Sequence, residues 1–152
     1  MSTPHAVIDT NILISAQRSK RGASSKLISL VGTGRFEIHV SVPLIFEYEE
    51  VLLRQRREMG LSRDDVNDLI DAICALAVGH EIHFLWRPYL RDPKDHLILE
   101  VAVAAGCGYI VTYNKRDFQG VETLGVEAVD AREFLDIKFL DIIGELSRAR
   151  SA

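Results

Sequence analysis

The chain has 152 residues, 47% of them hydrophobic, which is enough for one globular domain with a continuous core and too apolar for a disordered segment. A net charge of −4 and an isoelectric point near 5.7 exclude a protein that holds nucleic acid through bulk positive charge, because such domains carry a basic excess. Any nucleic-acid role must rest on local basic patches.

Cys74 and Cys107 show neither CxxC spacing nor a His partner at metal-finger spacing, so both are expected to be buried free thiols. Asp9, Asn11 and Arg18 interrupt the N-terminal apolar run, and no segment reaches the roughly 20 apolar residues of a membrane span. The expectation is a soluble cytoplasmic protein with no membrane role.

Residues 5–8 are short and apolar and read as a central strand ending on Asp9. A helix starts near Asn11, the basic stretch 18–22 interrupts it, and helical spacing resumes over 23–31. Residues 36–41 alternate as a second strand, and Pro43 then suits the first turn of a helix that runs through Leu44, Tyr48, Val51 and Leu52 to about Met59. Ser62, with Asp64 and Asp65 behind it, opens a further helix that Gly79 ends. Residues 81–85 read as a third strand and 86–89 as a loop. Asp92 and Pro93 open a helix with an apolar face at Leu97, Ile98, Val101, Ala102 and Ala105. Residues 109–112 and 126–129 are the fourth and fifth strands, a helical tail covers 131–147, and 148–152 fray. Strands alternating with helices imply a three-layer α/β/α sandwich around a mostly parallel five-stranded sheet, in a single domain 1–152 with its core at about 5–135. Ligands of such sheets bind beyond the carboxyl ends of the strands, where the strand order reverses.

Four acids lie at element ends, and each has an ordinary explanation. Asp9, Thr10 and Asn11 are good cap or turn residues. Glu47 borders the apolar stripe of its helix, but Glu49 falls nearer the middle of that stripe, so periodicity does not choose between them. Asp92 fits an N-cap and Asp95 a first turn facing the positive end of the helix dipole. Asn114 and Asp117 suit a turn. None of the five histidines has HExxH-like spacing, although His96 adjoins Asp95. Taken together, four acids from distant segments suit a hard divalent cation, because Mg²⁺ and Mn²⁺ favour carboxylate oxygen.

The segments Val7-Ile8-Asp9-Thr10-Asn11, Glu47-Tyr48-Glu49-Glu50-Val51-Leu52, Asp92-Pro93-Lys94-Asp95 and Ile110-Val111-Thr112-Tyr113-Asn114-Lys115-Arg116-Asp117-Phe118, in this order, resemble the PIN-domain ribonucleases. The likeness is greatest to the toxin components of bacterial toxin–antitoxin pairs (VapC-like). The resemblance implies a metal-dependent endoribonuclease using Mg²⁺ or Mn²⁺ and leaving a 5′-phosphate and a 3′-hydroxyl. It carries over Asp9, Glu47, Asp95 and Asp117 as the catalytic, metal-binding acids and so selects Glu47 over Glu49. Thr10, Asn11, Thr112 and Asn114 become supporting polar residues. At position 114 many relatives have Asp where this chain has Asn. An antitoxin protein and a homodimer are also implied, with RNA as substrate. Arg18, Lys20, Arg21, Arg54, Lys115 and Arg116 lie near the acids in sequence and are the candidate RNA contacts. Haloacid dehalogenase phosphatases place a second Asp where this chain has Asn11, and receiver domains need an acidic pair ahead of the first strand-end acid, which is missing here. The remaining alternative is a catalytically silent PIN-like module for RNA or protein binding.

Overall fold

The computed structural model describes residues 3–82, 90 and 92–137. The strands are β1 (His5–Ile8), β2 (Glu37–Ser41), β3 (Val78–His80), β4 (Tyr109–Val111) and β5 (Glu127–Val129). The helices are α1 (Thr10–Arg18), α2 (Ala23–Ser29), α3 (Val42–Gln55), α4 (Arg63–Leu76), α5 (Pro93–Ala105) and α6 (131–137). The loop expected at 86–89, the helical tail beyond 137 and the frayed end at 148–152 lie outside the described residues.

All strand pairs are parallel, in the order β3-β2-β1-β4-β5. β1 takes the centre because Ala6, Val7 and Ile8 are apolar on both faces, and all three are fully buried. After β3 the chain recrosses the sheet and enters β4 on the far side of β1, so the strand order reverses between β1 and β4. The α/β architecture is the one expected from the sequence. Ile8 and Ile38 face side chains of α1, α2, α3 and α4, while α5 packs along β1, β2 and β4.

Local chemistry sets the helix ends. Ser41 accepts from the Leu44 N–H ahead of Pro43, Ser62 and Asp65 form a reciprocal capping box, and Asp92 accepts from the Lys94 N–H. Gly106 closes α5 in the left-handed region (φ 67°).

Three expectations need correction. The third strand is Val78–His80 rather than 81–85: Glu81 and Ile82 are irregular, and 83–85 lie outside the described residues. Gly79 reads locally as a stop, yet it pairs with Val40 in an edge strand, where tertiary pairing overrides propensity. Helix α3 ends at Gln55, not near Met59, because the backbone tightens into bonds from Arg56 N–H to Leu53 O and from Met59 N–H to Arg56 O. Cys107 is buried, with its thiol pushed up to about 12 by desolvation, but Cys74 is exposed. The inward stripe of α4 is Val66, Ile70 and Ile73, and the next residue turns away from it.

Sequence spacing does not anticipate a chain of imidazoles across three strands. His39 Nε2 lies 2.7 Å from His5 Nδ1, and His39 Nδ1 lies 2.7 Å from His80 Nε2. His39 is buried between its neighbours, and desolvation followed by the charges of His5 and His80 lowers it from 6.5 to about 4.

Candidate active site

Asp9 is the first residue beyond β1, and its N–H still pairs with the Val111 carbonyl at 2.9 Å. It stands at the N-cap position of α1 in an extended conformation, but its side chain makes no cap hydrogen bond. Instead Oδ2 accepts from Thr112 Oγ1 at 2.7 Å and from Asn11 Nδ2 at 3.3 Å. Asn11 Oδ1 accepts from the Tyr113 N–H at 3.2 Å, and Thr112 Oγ1 accepts from the Asn114 N–H at 3.0 Å. This network joins the carboxyl ends of β1 and β4 at the reversal of strand order. From below, the buried Tyr48 hydroxyl of α3 donates to the Ile8 carbonyl and fixes the strand end to the helix.

The carboxylate is held at an electrostatic disadvantage. Asp9 is 9% exposed, and burial raises its pKa. Thr112 and the Thr10 N–H pull it back down, whereas Asp117 and Glu47 push it up. Asp95, in the first turn of α5, is raised to about 6 by burial and then by Asp9, Asp92 and Asp117. The Glu47 side chain is only 11% exposed and lies 3.6 Å from Lys94 Nζ, which reaches across from α5. Asp117 is exposed in the short 3-10 turn Lys115–Phe118. The four sequence-expected acids thus share one electrostatic neighbourhood. Among the described residues, however, no three acidic, His or Cys side chains converge closely enough to ligate one ion.

The donor set fits a hard divalent cation. It offers carboxylate oxygens that repel one another, and Mg²⁺ is commonly held by one or two carboxylates together with water and substrate phosphate. Added positive charge would relieve the repulsion that raises Asp9 and Asp95. His96 Nε2 lies 2.6 Å from the Leu90 N and 3.0 Å from the Leu90 O, which secures the backbone ahead of α5.

The structure distributes the basic residues unevenly. Arg18 Nη2 donates to Gln55 at 2.9 Å and pairs with Glu58 at 3.2 Å. Arg54 pairs with Glu50 at 3.4 Å, and Lys115 with Glu133 at 2.7 Å. Lys20, Arg21 and Arg116 are exposed. Sequence reasoning missed two residues. Tyr48 carries the one polar handle among the buried residues of α3, a signal available from its stripe. Lys94 has no sequence signal linking it to Glu47, because the pair exists only through the crossing of α3 and α5.

The family model described as PIN domain matches residues 5–116, a span holding Asp9, Asn11, Glu47, Asp95 and Thr112. No curated protein matches the chain. A chain in the crystal structure of VapBC2 from Rickettsia felis, bound to a DNA fragment from their promoter, is similar at a TM-score of 0.57 and 14% identity; the match covers 83% of this chain and 99% of that one. The parallel sheet with its reversal at β1 and β4, the polar network at that reversal and the sequence match across most of the chain agree, and the protein belongs to the PIN domain family.

Proposed function

We propose that the protein is a metal-dependent endoribonuclease that hydrolyses RNA phosphodiester bonds, acting as the toxin of a toxin–antitoxin pair. The observation that carries this reading is the buried Asp9 carboxylate, which accepts from Thr112 and Asn11 instead of capping α1 and feels the charges of Glu47 and Asp117. Asp9, Glu47, Asp95 and Asp117 are the residues that would hold Mg²⁺ or Mn²⁺. Such an ion, when bound, lowers the pKa of a water and offsets charge on the scissile phosphate. Thr112 and Asn11 fix the orientation of Asp9, while Tyr48 steadies the strand end that carries it. No side-chain nucleophile is required, and the products carry a 5′-phosphate and a 3′-hydroxyl. Arg18, Lys20, Arg21, Arg54, Lys115 and Arg116 contact RNA phosphates. Exchanging the exposed ion pairs of Arg18, Arg54 and Lys115 for phosphate costs little, because such pairs are weak.

The similar structure, solved as VapBC2 on a promoter fragment, supports an antitoxin partner. Homodimer formation is supported by Val42 and Phe46, one helical turn apart on α3 and each 64% exposed. The test incubates purified protein with end-labelled RNA and Mn²⁺. Cleavage is expected, with EDTA and Asp9→Asn each stopping it; equal cleavage by Asp9→Asn overturns the assignment. The second reading, a silent PIN-like module, draws on the Lys94–Glu47 pair, which already gives one of the four acids a cation from within the chain. It predicts Mn²⁺ binding without RNA turnover.

A further inference from the structure

Asn11 connects two surface features. Tyr113 follows the Thr112 that holds Asp9, and the residue is 45% exposed. Its position is fixed at both ends: the backbone N–H donates to Asn11 Oδ1, and the phenol oxygen lies 2.6 Å from Oγ of the buried Ser24 on α2. An exposed aromatic ring held this way has lost its rotamer freedom in advance, so stacking on it carries a smaller ordering cost. Asn11 also lines an open cleft of about 440 Å³ between α1 and α3. Its lining includes the buried Ile14 and Val51, the polar Asn11, Ser15 and Gln55, and Arg18 at the C-terminal end of α1. From Thr10 to Arg18 the cleft follows about 12 Å of helix at 1.5 Å per residue. Apolar side chains, amide and hydroxyl partners and a cation are the groups that a base, its polar edge and the adjoining phosphate require.

We infer that Tyr113 and the α1–α3 cleft are two nucleotide subsites linked through Asn11. Tyr113 stacks one base, and the cleft holds a second nucleoside whose phosphate meets Arg18. The bases must be unpaired to lie on these surfaces, so the strand that passes the Asp9 edge is single. Arg18 leaves Glu58 and its hydrogen bond to Gln55 to reach that phosphate, an exchange among exposed groups that are weakly held. The inference rests on the nuclease reading for the direction in which the strand runs past Asp9, but its test needs no cleavage.

The experiment measures binding of a fluorescein-labelled uridine hexanucleotide to the full chain in EDTA by anisotropy. Tyr113→Ala is expected to weaken binding by about 5- to 150-fold, the range for losing one stacked base. Tyr113→Trp keeps the ring surface and should stay within about twofold of the wild type by the same stacking logic. Ser24→Ala releases the phenol but leaves the ring, so its loss should fall between these two. Ser15→Trp fills the cleft and should weaken binding independently of Tyr113. Arg18→Ala should lower the salt slope by about one. Equal binding by Tyr113→Ala and the wild type, or equal loss in Tyr113→Ala and Tyr113→Trp, overturns the stacking assignment. A wild type that cleaves RNA with Mn²⁺ but does not bind the hexanucleotide overturns both subsites and leaves the nuclease reading intact. Graded binding without cleavage supports the subsites and counts against the nuclease reading.

Discussion

The sheet carries two clusters of titratable side chains, and they meet burial in opposite ways. Across β1, β2 and β3, the imidazoles of His5, His39 and His80 lie in a chain with both nitrogens of His39 engaged. A neutral imidazole is donor at one nitrogen and acceptor at the other, so a neutral His39 is satisfied at both by its neighbours. At the carboxyl ends of β1 and β4 the groups are carboxylates, which only accept when ionised. Asp9 obtains donors from Thr112 and Asn11, yet burial and its acidic neighbours still raise it. His39 needs nothing from outside the fold. The acids remain short of positive charge, which is why we place function there and structure at the histidines.

The sharpest way to break this contrast is Asp9→Asn, which should have opposite effects on activity and stability. RNA cleavage in Mn²⁺ should fall by about two orders of magnitude or more, the scale for losing a group that stabilises transition-state charge. In EDTA at pH 7 the same variant should melt no lower than the wild type, because a carboxylate raised by burial destabilises the folded state once ionised. A variant that loses activity and melts well below the wild type would make Asp9 a structural residue like the histidines.

The next test concerns the histidines. His39 has its folded value lowered from 6.5 to about 4, so between those limits the unfolded chain binds a proton that the folded chain refuses. Its contribution to stability is therefore complete above about 6.5 and declines as pH falls toward 4, by at most about 3 kcal/mol in all. His39→Gln should remove that decline. Chemical denaturation of both proteins at several pH values reads it as a wild-type advantage that shrinks with acid. An advantage independent of pH would show that the chain does not stay neutral.

Asp95 gives the mirror image on a smaller scale. Its folded value of about 6 lies above the ordinary 3.8, so the folded state binds the proton more tightly, and metal-free stability rises as pH falls through this window. Asp95→Asn should stabilise the metal-free protein at pH 7.5 by about 1 kcal/mol, discounted because the group is partly exposed to solvent. The gain should vanish near pH 4. If the two proteins differ equally at both pH values, repulsion among the acids is not the cause.

Whether a feature is readable in the sequence follows its range. The Pro43, Ser62 and Asp92 helix starts depend on neighbours within four residues, and all three fall where local chemistry puts them. The buried run ending on Asp9 identifies the central strand, but the bond from Thr112 spans 103 residues and appears only once β1 and β4 pair. Gly79 misled because its strand exists through pairing with β2. Cys74 misled because its residue type predicts burial while its position beside the Ile70–Ile73 stripe turns it outward. The histidines combine residues 34 and 41 positions apart, with no spacing that a motif could capture.

Lys94 gives the smallest effect and bears directly on why the acids lack positive charge. Its ammonium lies 3.6 Å from Glu47, so one of the four acids already has a cation from within the chain. That pair is half exposed at the lysine and therefore weak, worth up to about 1 kcal/mol. A divalent ion reaching Glu47 must displace or repel it. Lys94→Met keeps the apolar stem and removes the charge, so Mn²⁺ affinity measured by calorimetry should rise by about two- to fivefold, the same energy expressed as a binding ratio. The metal-free protein should meanwhile lose a little stability, because Glu47 is left without its partner. Weaker Mn²⁺ binding in the variant would show instead that Lys94 holds Glu47 in the orientation that binds metal, and the lysine would then belong to the acid site rather than compete with its ion.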